Sequence, residues 1–206
     1  MLFAYYFTFV ALKKNGVQEN YGLLRQHFEE IVNLTDAEWE QIAPHFEYRK
    51  LKKHQFLIQT GQPVECEFWI ISGLVKSYAI DQKGNEHILQ FGMEQYWVSD
   101  YFAFQHQLPA TIFVDCIEDS EFFCLSLESR ESICQQIPAI ANFYRIKSNN
   151  GFINLQQRIL SLLTLSAEER YDELLNKLPK LLQRVPKKLI AAYLGVSRET
   201  LSRFKN

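Results

Sequence analysis

The chain has 206 residues, 47% of them hydrophobic and 22% charged, which is enough apolar material to bury a sizeable core or two small ones. Its four cysteines, Cys66, Cys116, Cys124 and Cys134, lie too far apart for a CxxC metal knuckle, which excludes that class and reads as buried, reduced thiols in a cytoplasmic protein. The net charge of −2 looks unpromising for a nucleic-acid binder until it is divided along the chain: residues 180–206 hold seven Lys/Arg against one acid, leaving 15 basic and 23 acidic residues before them, so a tail of +6 follows a front of −8.

Residues 1–20 read as an N-terminal extension. Met1 to Leu12 is uncharged and aromatic, too short to span a bilayer, and Lys13 and Lys14 follow the apolar run where an export signal would have them precede it. An upstream start site that the cell does not use is the other reading of this stretch. From Tyr21 to His45 apolar residues recur at helical spacing (Leu24, Phe28, Ile31), and Thr35-Asp-Ala-Glu38 has the form of a capping box that starts a second helix through Trp39 and Ile42.

From Phe46 to Leu127 short apolar runs alternate with turn signals such as Thr60-Gly61-Gln-Pro63, Ser72-Gly73 and Asp81-Gln-Lys-Gly84-Asn85. The runs predict strands at 47–52, 55–59, 66–72, 73–80, 86–91, 111–116 and 121–125. Many short strands at this spacing suit an antiparallel jelly roll or sandwich.

Pro138 to Leu165 predicts one long helix with Ile146, Ile153 and Leu160 at intervals of seven and a more polar row of Phe143, Asn150, Gln157 and Thr164 beside them. An apolar seam with polar positions reads as a dimerisation helix; packing of that seam on the chain's own strands is the alternative. Ser166-Ala-Glu-Glu169 is a second capping box, and a short amphipathic helix then runs to Pro179. Leu181 to Val185 reads as a brief strand.

The last segment reads as two short helices joined by a tight turn. Ile190, Ala191 and Leu194 make an inward stripe, Gly195 can take the φ > 0 turn, and Ser197 is a good N-cap for a helix that buries Leu201 and Phe204. Arg198, Glu199, Thr200, Ser202, Arg203 and Lys205 are left for its outer surface, with Lys187 and Lys188 at the start of the preceding helix. Arginine can donate two parallel hydrogen bonds to guanine, glutamate can accept from cytosine, and lysines can hold phosphates, so this is the helix-turn-helix pattern for the DNA major groove.

The run Gly195-Val-Ser-Arg-Glu-Thr-Leu-Ser-Arg203, preceded by Gln157-Arg158-Ile-Leu-Ser-Leu-Leu and Glu169-Arg170-Tyr171, resembles the DNA-binding domain of the Crp/Fnr family of bacterial transcription regulators. Phe56-Leu57 with Gly61, and Phe68-Trp-Ile-Ile-Ser-Gly-Leu-Val75, resemble the cyclic-nucleotide-binding β-roll that precedes it in that family, so the likeness covers the chain from about Tyr21. The resemblance implies an α+β protein: an antiparallel, jelly-roll-like β-roll flanked by helices (21–136), a linking and dimerisation helix (137–165) and a winged-helix-type helix-turn-helix domain (166–206). It implies that Arg198, Glu199 and Arg203 read bases, and it implies a two-fold dimer on double-stranded DNA, in contact with RNA polymerase and not with a membrane. No cysteine precedes Cys66, so the N-terminal iron–sulfur cluster of some members is not expected.

Members that bind cyclic AMP carry a Gly-Glu pair for the ribose and, further on, an Arg-Ser pair for the cyclic phosphate. Here Ser99-Asp100 and Ala110-Thr111 stand at those places. A phosphodiester taken out of water without a paired cation would cost several kcal/mol, so cyclic AMP is not expected to bind. The candidate pocket is Trp97, Ser99, Asp100, Tyr101, Ala110 and Thr111, with Asn149 and Asn150 of the long helix beside it; it takes either an unidentified neutral effector or nothing, its aromatics simply filling the roll. An effector would act by shifting the hinge at 165–169 between docked and DNA-competent orientations of the tail.

Two other classes compete. A cupin-like enzyme needs a His-x-His pair, but His87 stands alone and His27, His45, His54 and His106 share no ligand spacing; no GxSxG, P-loop or GxGxxG occurs, so neither a catalytic residue nor a metal is expected. A binding module with a merely structural helix-turn-helix is the other, and nothing from Ser197 to Arg203 looks decayed.

Overall fold

The computed structural model describes residues 17–204. Most of the expected N-terminal extension, and Lys205, lie outside these residues. Helices α1 (Val17–Glu29) and α2 (Asp36–Ile42) come first. The capping box of α2 is formed as read: the Glu38 amide donates to Thr35 Oγ1 at 3.3 Å and the Thr35 amide donates to Glu38 Oε2 at 2.8 Å.

Eight strands follow: β1 (Glu47–Leu51), β2 (Phe56–Ile58), β3 (Cys66–Ser72), β4 (Val75–Ile80), β5 (Glu86–Gly92), β6 (Trp97–Val98), β7 (Phe113–Cys116) and β8 (Ser120–Ser126). They pair antiparallel in two four-stranded sheets, β1-β8-β3-β6 and β2-β7-β4-β5, stacked as a roll. Sequence reading finds seven of them and misses β6, two residues being too short to show a period. The β3–β4 corner needs Gly73, whose φ is +105° and where a Cβ would run into Ser120.

Alternation along the strands separates two cores. Phe122 and Cys124 of β8 point between the sheets with Phe68, Ile70, Val75, Val98 and Val114, while Phe123 and Leu125 point outward with Trp69. That outer layer is covered by Leu24 and Phe28 of α1, by Ile133 of α4 (Leu127–Gln136) and by Ile140 and Phe143 of α5 (Pro138–Thr164). Before them, α3 (Tyr101–His106) plugs the roll with Ala103 and Phe104. All four cysteines are unpaired; Cys116 and Cys124 are buried, Cys66 and Cys134 half-buried. Burial pushes the Cys116 thiol up to about 11 and that of Cys124 to about 12, so both remain thiols.

Beyond α5 come α6 (Ala167–Lys177), α7 (Pro179–Arg184), α8 (Lys187–Leu194) and α9 (Arg198–Leu201). The brief strand expected at Leu181–Val185 is therefore helical. Pro179 sits at the first helical position, where its fixed φ starts a turn, and Leu181 and Val185, four apart, bury one face. No strand follows Ser126 among the described residues, so the β-wing expected with the helix-turn-helix is not formed by them. The C-terminal helices share a third core with the outer face of the second sheet: Leu181, Val185, Ile190 and Leu194 pack with Leu74, Tyr78, Ile88 and Phe91.

The long helix differs from its expected facing. Phe143, assigned to the polar row, is fully buried against the roll, and Ile146 is half-buried. The exposed apolar strip further along is Phe152, Leu155, Ile159 and Leu163, with Ile153 and Leu160 on its flank; Phe152 is 69% and Leu163 79% exposed. A heptad count finds a stripe but not which side the roll has already taken.

Candidate nucleic-acid interface

The C-terminal turn is built from its caps. Ile190, Ala191 and Leu194 bury one side of α8, and Gly195 ends it at φ +71°, its amide donating to the carbonyls of Ala191 and Ala192. Ser197, in extended backbone, then accepts from the Thr200 amide at 3.1 Å. The α9 turn anchors inward through Leu201 and, just beyond it, through Phe204, whose ring lies 5.8 Å from that of Tyr171.

The sequence-chosen side chains divide cleanly. Ser197 and Thr200 are engaged in the cap, their hydroxyl oxygens 3.1 Å apart, and the Ser202 hydroxyl donates to the Glu199 carbonyl at 2.7 Å. Arg198, Glu199, Arg203, Lys187 and Lys188 are exposed. Among the described residues neither Arg198 nor Arg203 has a hydrogen-bond or ion-pair partner. The Glu199 carboxyl is held below its usual value by its own backbone amide and Ser197 first, then by the two arginines. A short helix end thus presents two free guanidinium groups beside one carboxylate.

Three arginines that sequence reading did not assign to this task fix the unit's position. Arg158 of α5 donates to the Ile88 carbonyl of β5 at 3.1 Å and to the Tyr193 carbonyl of α8 at 3.0 Å, and lies 3.6 Å over the Tyr193 ring. Arg170 donates to the carbonyls of Leu165 and Leu194 at 2.6 and 2.8 Å. Arg184 pairs with Glu118 at 2.6 Å and Glu94 at 2.9 Å, two turns at one end of the roll, and these bonds raise its pKa. The resemblance drew attention to Arg158 and Arg170; nothing local marks Arg184.

The candidate pocket of the roll does not assemble as one cavity. Asp100 is 4% exposed and wholly engaged: it caps α3 by accepting from Ala103 and also accepts from the Thr111 amide at 2.7 Å, the Thr111 hydroxyl at 2.8 Å and the Ile112 amide at 3.2 Å. Burial pushes its carboxyl up, but those bonds outweigh it and hold the carboxyl below the usual range. Ser99 donates to the Cys66 carbonyl at 3.1 Å, and Ala110 is buried in the roll. Trp97 points the other way, because Val98 takes the inward place on β6; its indole donates to His27 Nε2 at 3.2 Å in the outer layer. Tyr101 is partly exposed, and Asn149 and Asn150 are exposed with no bond to these residues. Phe104, 1% exposed, fills the space between the sheets.

Among the described residues no three His, Cys, Asp or Glu side chains are placed to hold a metal, and no helix is long and apolar enough to cross a membrane. His87 is engaged with Asp81 at 3.0 Å on the β4–β5 hairpin.

A family model described as "Cyclic nucleotide-binding domain" matches residues 48–137. The chain is 28% identical to the fumarate and nitrate reduction regulatory protein of Vibrio cholerae over 182 residues, 82% of this chain and 72% of that one. It spans 66% of the length of one such regulator and 75% of another. Among solved structures, the c-di-GMP responsive global regulator CLP of Xanthomonas campestris superposes with a TM-score of 0.68 at 18% identity, covering 82% of this chain and 89% of that one. A transcriptional regulator of the crp/fnr family from Eubacterium rectale superposes with a TM-score of 0.66 at 16% identity, covering 83% and 82%.

Proposed function

We propose that the chain is a transcription regulator of the Crp/Fnr type, acting as a homodimer that reads a specific sequence in double-stranded DNA. One observation carries the reading: Arg198 and Arg203 stand exposed beside Glu199, without protein partners among the described residues, on a turn whose backbone is already capped. In the major groove the two guanidinium groups donate to guanine edges and Glu199 accepts from cytosine, with Ser197, Thr200 and Ser202 at the rim. Lys187 and Lys188 hold phosphates and set the register.

The exposed strip of Phe152, Leu155, Ile159 and Leu163 on α5 supports pairing with a second copy, which would bring two recognition turns about 34 Å apart, one DNA turn. Residues 21–136 then form the sensor unit, 137–165 the link and 166–206 the DNA-binding unit, with a hinge at 165–169. RNA polymerase is the partner such a regulator addresses from the cytoplasm. Cyclic nucleotide has no part in this reading: the polar groups of the Ser99–Thr111 cassette are engaged internally, and the roll is filled by Phe104. An effector, if one binds, is neutral and displaces existing packing.

Repeated selection of random duplexes on the purified chain is the test. One two-fold symmetric motif should enrich, and affinity for it should fall steeply with salt. Enrichment of no motif, or affinity indifferent to salt, would leave the helix-turn-helix a structural cap.

A further inference from the structure

Four buried polar atoms without a hydrogen-bond partner among the described residues lie in the layer between the first sheet and its helices: Glu67 Oε1, Trp69 Nε1, His27 Nδ1 and Tyr144 OH. Native interiors satisfy nearly all such groups, so a cluster of exceptions calls for a reason. Glu67 is the exceptional member, a carboxyl group only 2% exposed. Its other oxygen lies 3.8 Å from Arg130 Nη1, too far for a hydrogen bond.

The cation facing it is shared with other partners. Arg130 of α4 donates to Gln105 Oε1 of α3 at 2.6 Å and to Glu131 Oε1 at 3.2 Å. Its guanidinium also lies 4.9 Å from the centre of the Phe104 ring and 5.7 Å from that of Tyr144. One arginine therefore joins α3, α4 and α5 over a half-satisfied carboxyl on β3. With Arg130 so placed, the site accommodates the neutral acid and leaves a carboxylate short of partners.

We propose that Glu67 is a proton-controlled switch for the seating of α3: on losing its proton to solvent, the carboxylate draws Arg130 away from Gln105, and the Tyr101–His106 helix loosens from the roll. Every titratable group facing Glu67 bears on this. From α4 come Arg130, Glu131 and Cys134, from α3 Tyr101, from α5 Tyr144, and Cys66 lies on β3 itself. Burial raises Tyr144 well above its ordinary value, pushes Cys134 up to about 11 and raises Cys66, so these keep their protons at neutral pH. Burial also holds the Glu67 carboxyl up to about 7, against the pull of Arg130, so its charge changes in the physiological range. The raised value fixes the sign: the stability Glu67 contributes is complete below its ordinary carboxyl range and is lost as pH rises through about 7. The switch belongs to the roll and operates whether or not the C-terminal helices read DNA.

Hydrogen exchange of the full chain, followed in the 101–108 segment at about pH 6 and about pH 8 and normalised to intrinsic rates, tests it. Wild-type protection should fall about tenfold between the two, Glu67→Gln should keep the higher protection at both, and Gln105→Ala should show the lower at both. Wild-type protection that ignores pH, or the same fall in Glu67→Gln, overturns the proposal. Should Glu67→Gln fail to fold, the wild-type carboxyl titration followed by carbon NMR decides alone: a midpoint near neutrality supports the switch, one in the ordinary carboxylate range refutes it.

Discussion

The cassette of the roll and the tip of the helix-turn-helix hold comparable numbers of polar side chains and treat them in opposite ways. Asp100 accepts from three backbone amides and a hydroxyl, and all of its bonding capacity stays inside the chain. Arg198 and Arg203 keep theirs outside, on a turn where the serines and the threonine have already satisfied the backbone. The difference teaches how to tell a scaffold from a site: both are polar, but only groups left unpartnered at the surface have free energy still to gain from a ligand.

Removing a scaffold group should do the larger damage. Asp100→Ala deletes a cap and strands the Thr111 and Ile112 amides, and denaturant unfolding should show a loss of about 3 kcal/mol; an unchanged midpoint would mean that Asp100 is free for a ligand after all. Arg203→Ala should leave stability within about 0.5 kcal/mol of wild type. The same change should cost about 2 kcal/mol on the selected duplex and relax one base position, and equal loss on every sequence would reduce Arg203 to a phosphate contact. Ser197→Ala lies between the two kinds, and thermal unfolding should register about 1 kcal/mol for its lost cap. The smallest effect expected is none: micromolar cyclic AMP should shift neither the melting temperature nor the duplex affinity, since the cassette offers the phosphate no arginine at Ala110. A rise in either would reopen the roll as a nucleotide site.

Much of this was legible in the residues themselves. Both capping boxes, the strand Cys66–Ser72 and the turn at Gly195 follow from local chemistry and form where that chemistry puts them. The inward and outward residues of the recognition turn were legible for the same reason. Direction was not. The sequence places Trp97 in a pocket lining, yet on a two-residue strand the neighbour's inward place decides its side, and Val98 holds it. Spacing alone puts Phe143 on a polar row, because a helix period has no origin until something packs against it. Leu181–Val185 could be strand or helix by its apolar content, and Pro179 tipped it. Arg184 was invisible, since its partners Glu94 and Glu118 are 90 and 66 residues away along the chain.

Arg158 has a mechanical consequence. It projects from the flank of α5 beside the exposed strip and grips a strand of the roll and the first helix of the C-terminal pair through two carbonyls. A rotation of the helix about its axis, imposed by whatever seats on that strip, would reach both contacts at once through a single side chain. The helix would then work as a crankshaft rather than a tether, passing torque from the strip to the C-terminal turn without the intervening chain having to unfold.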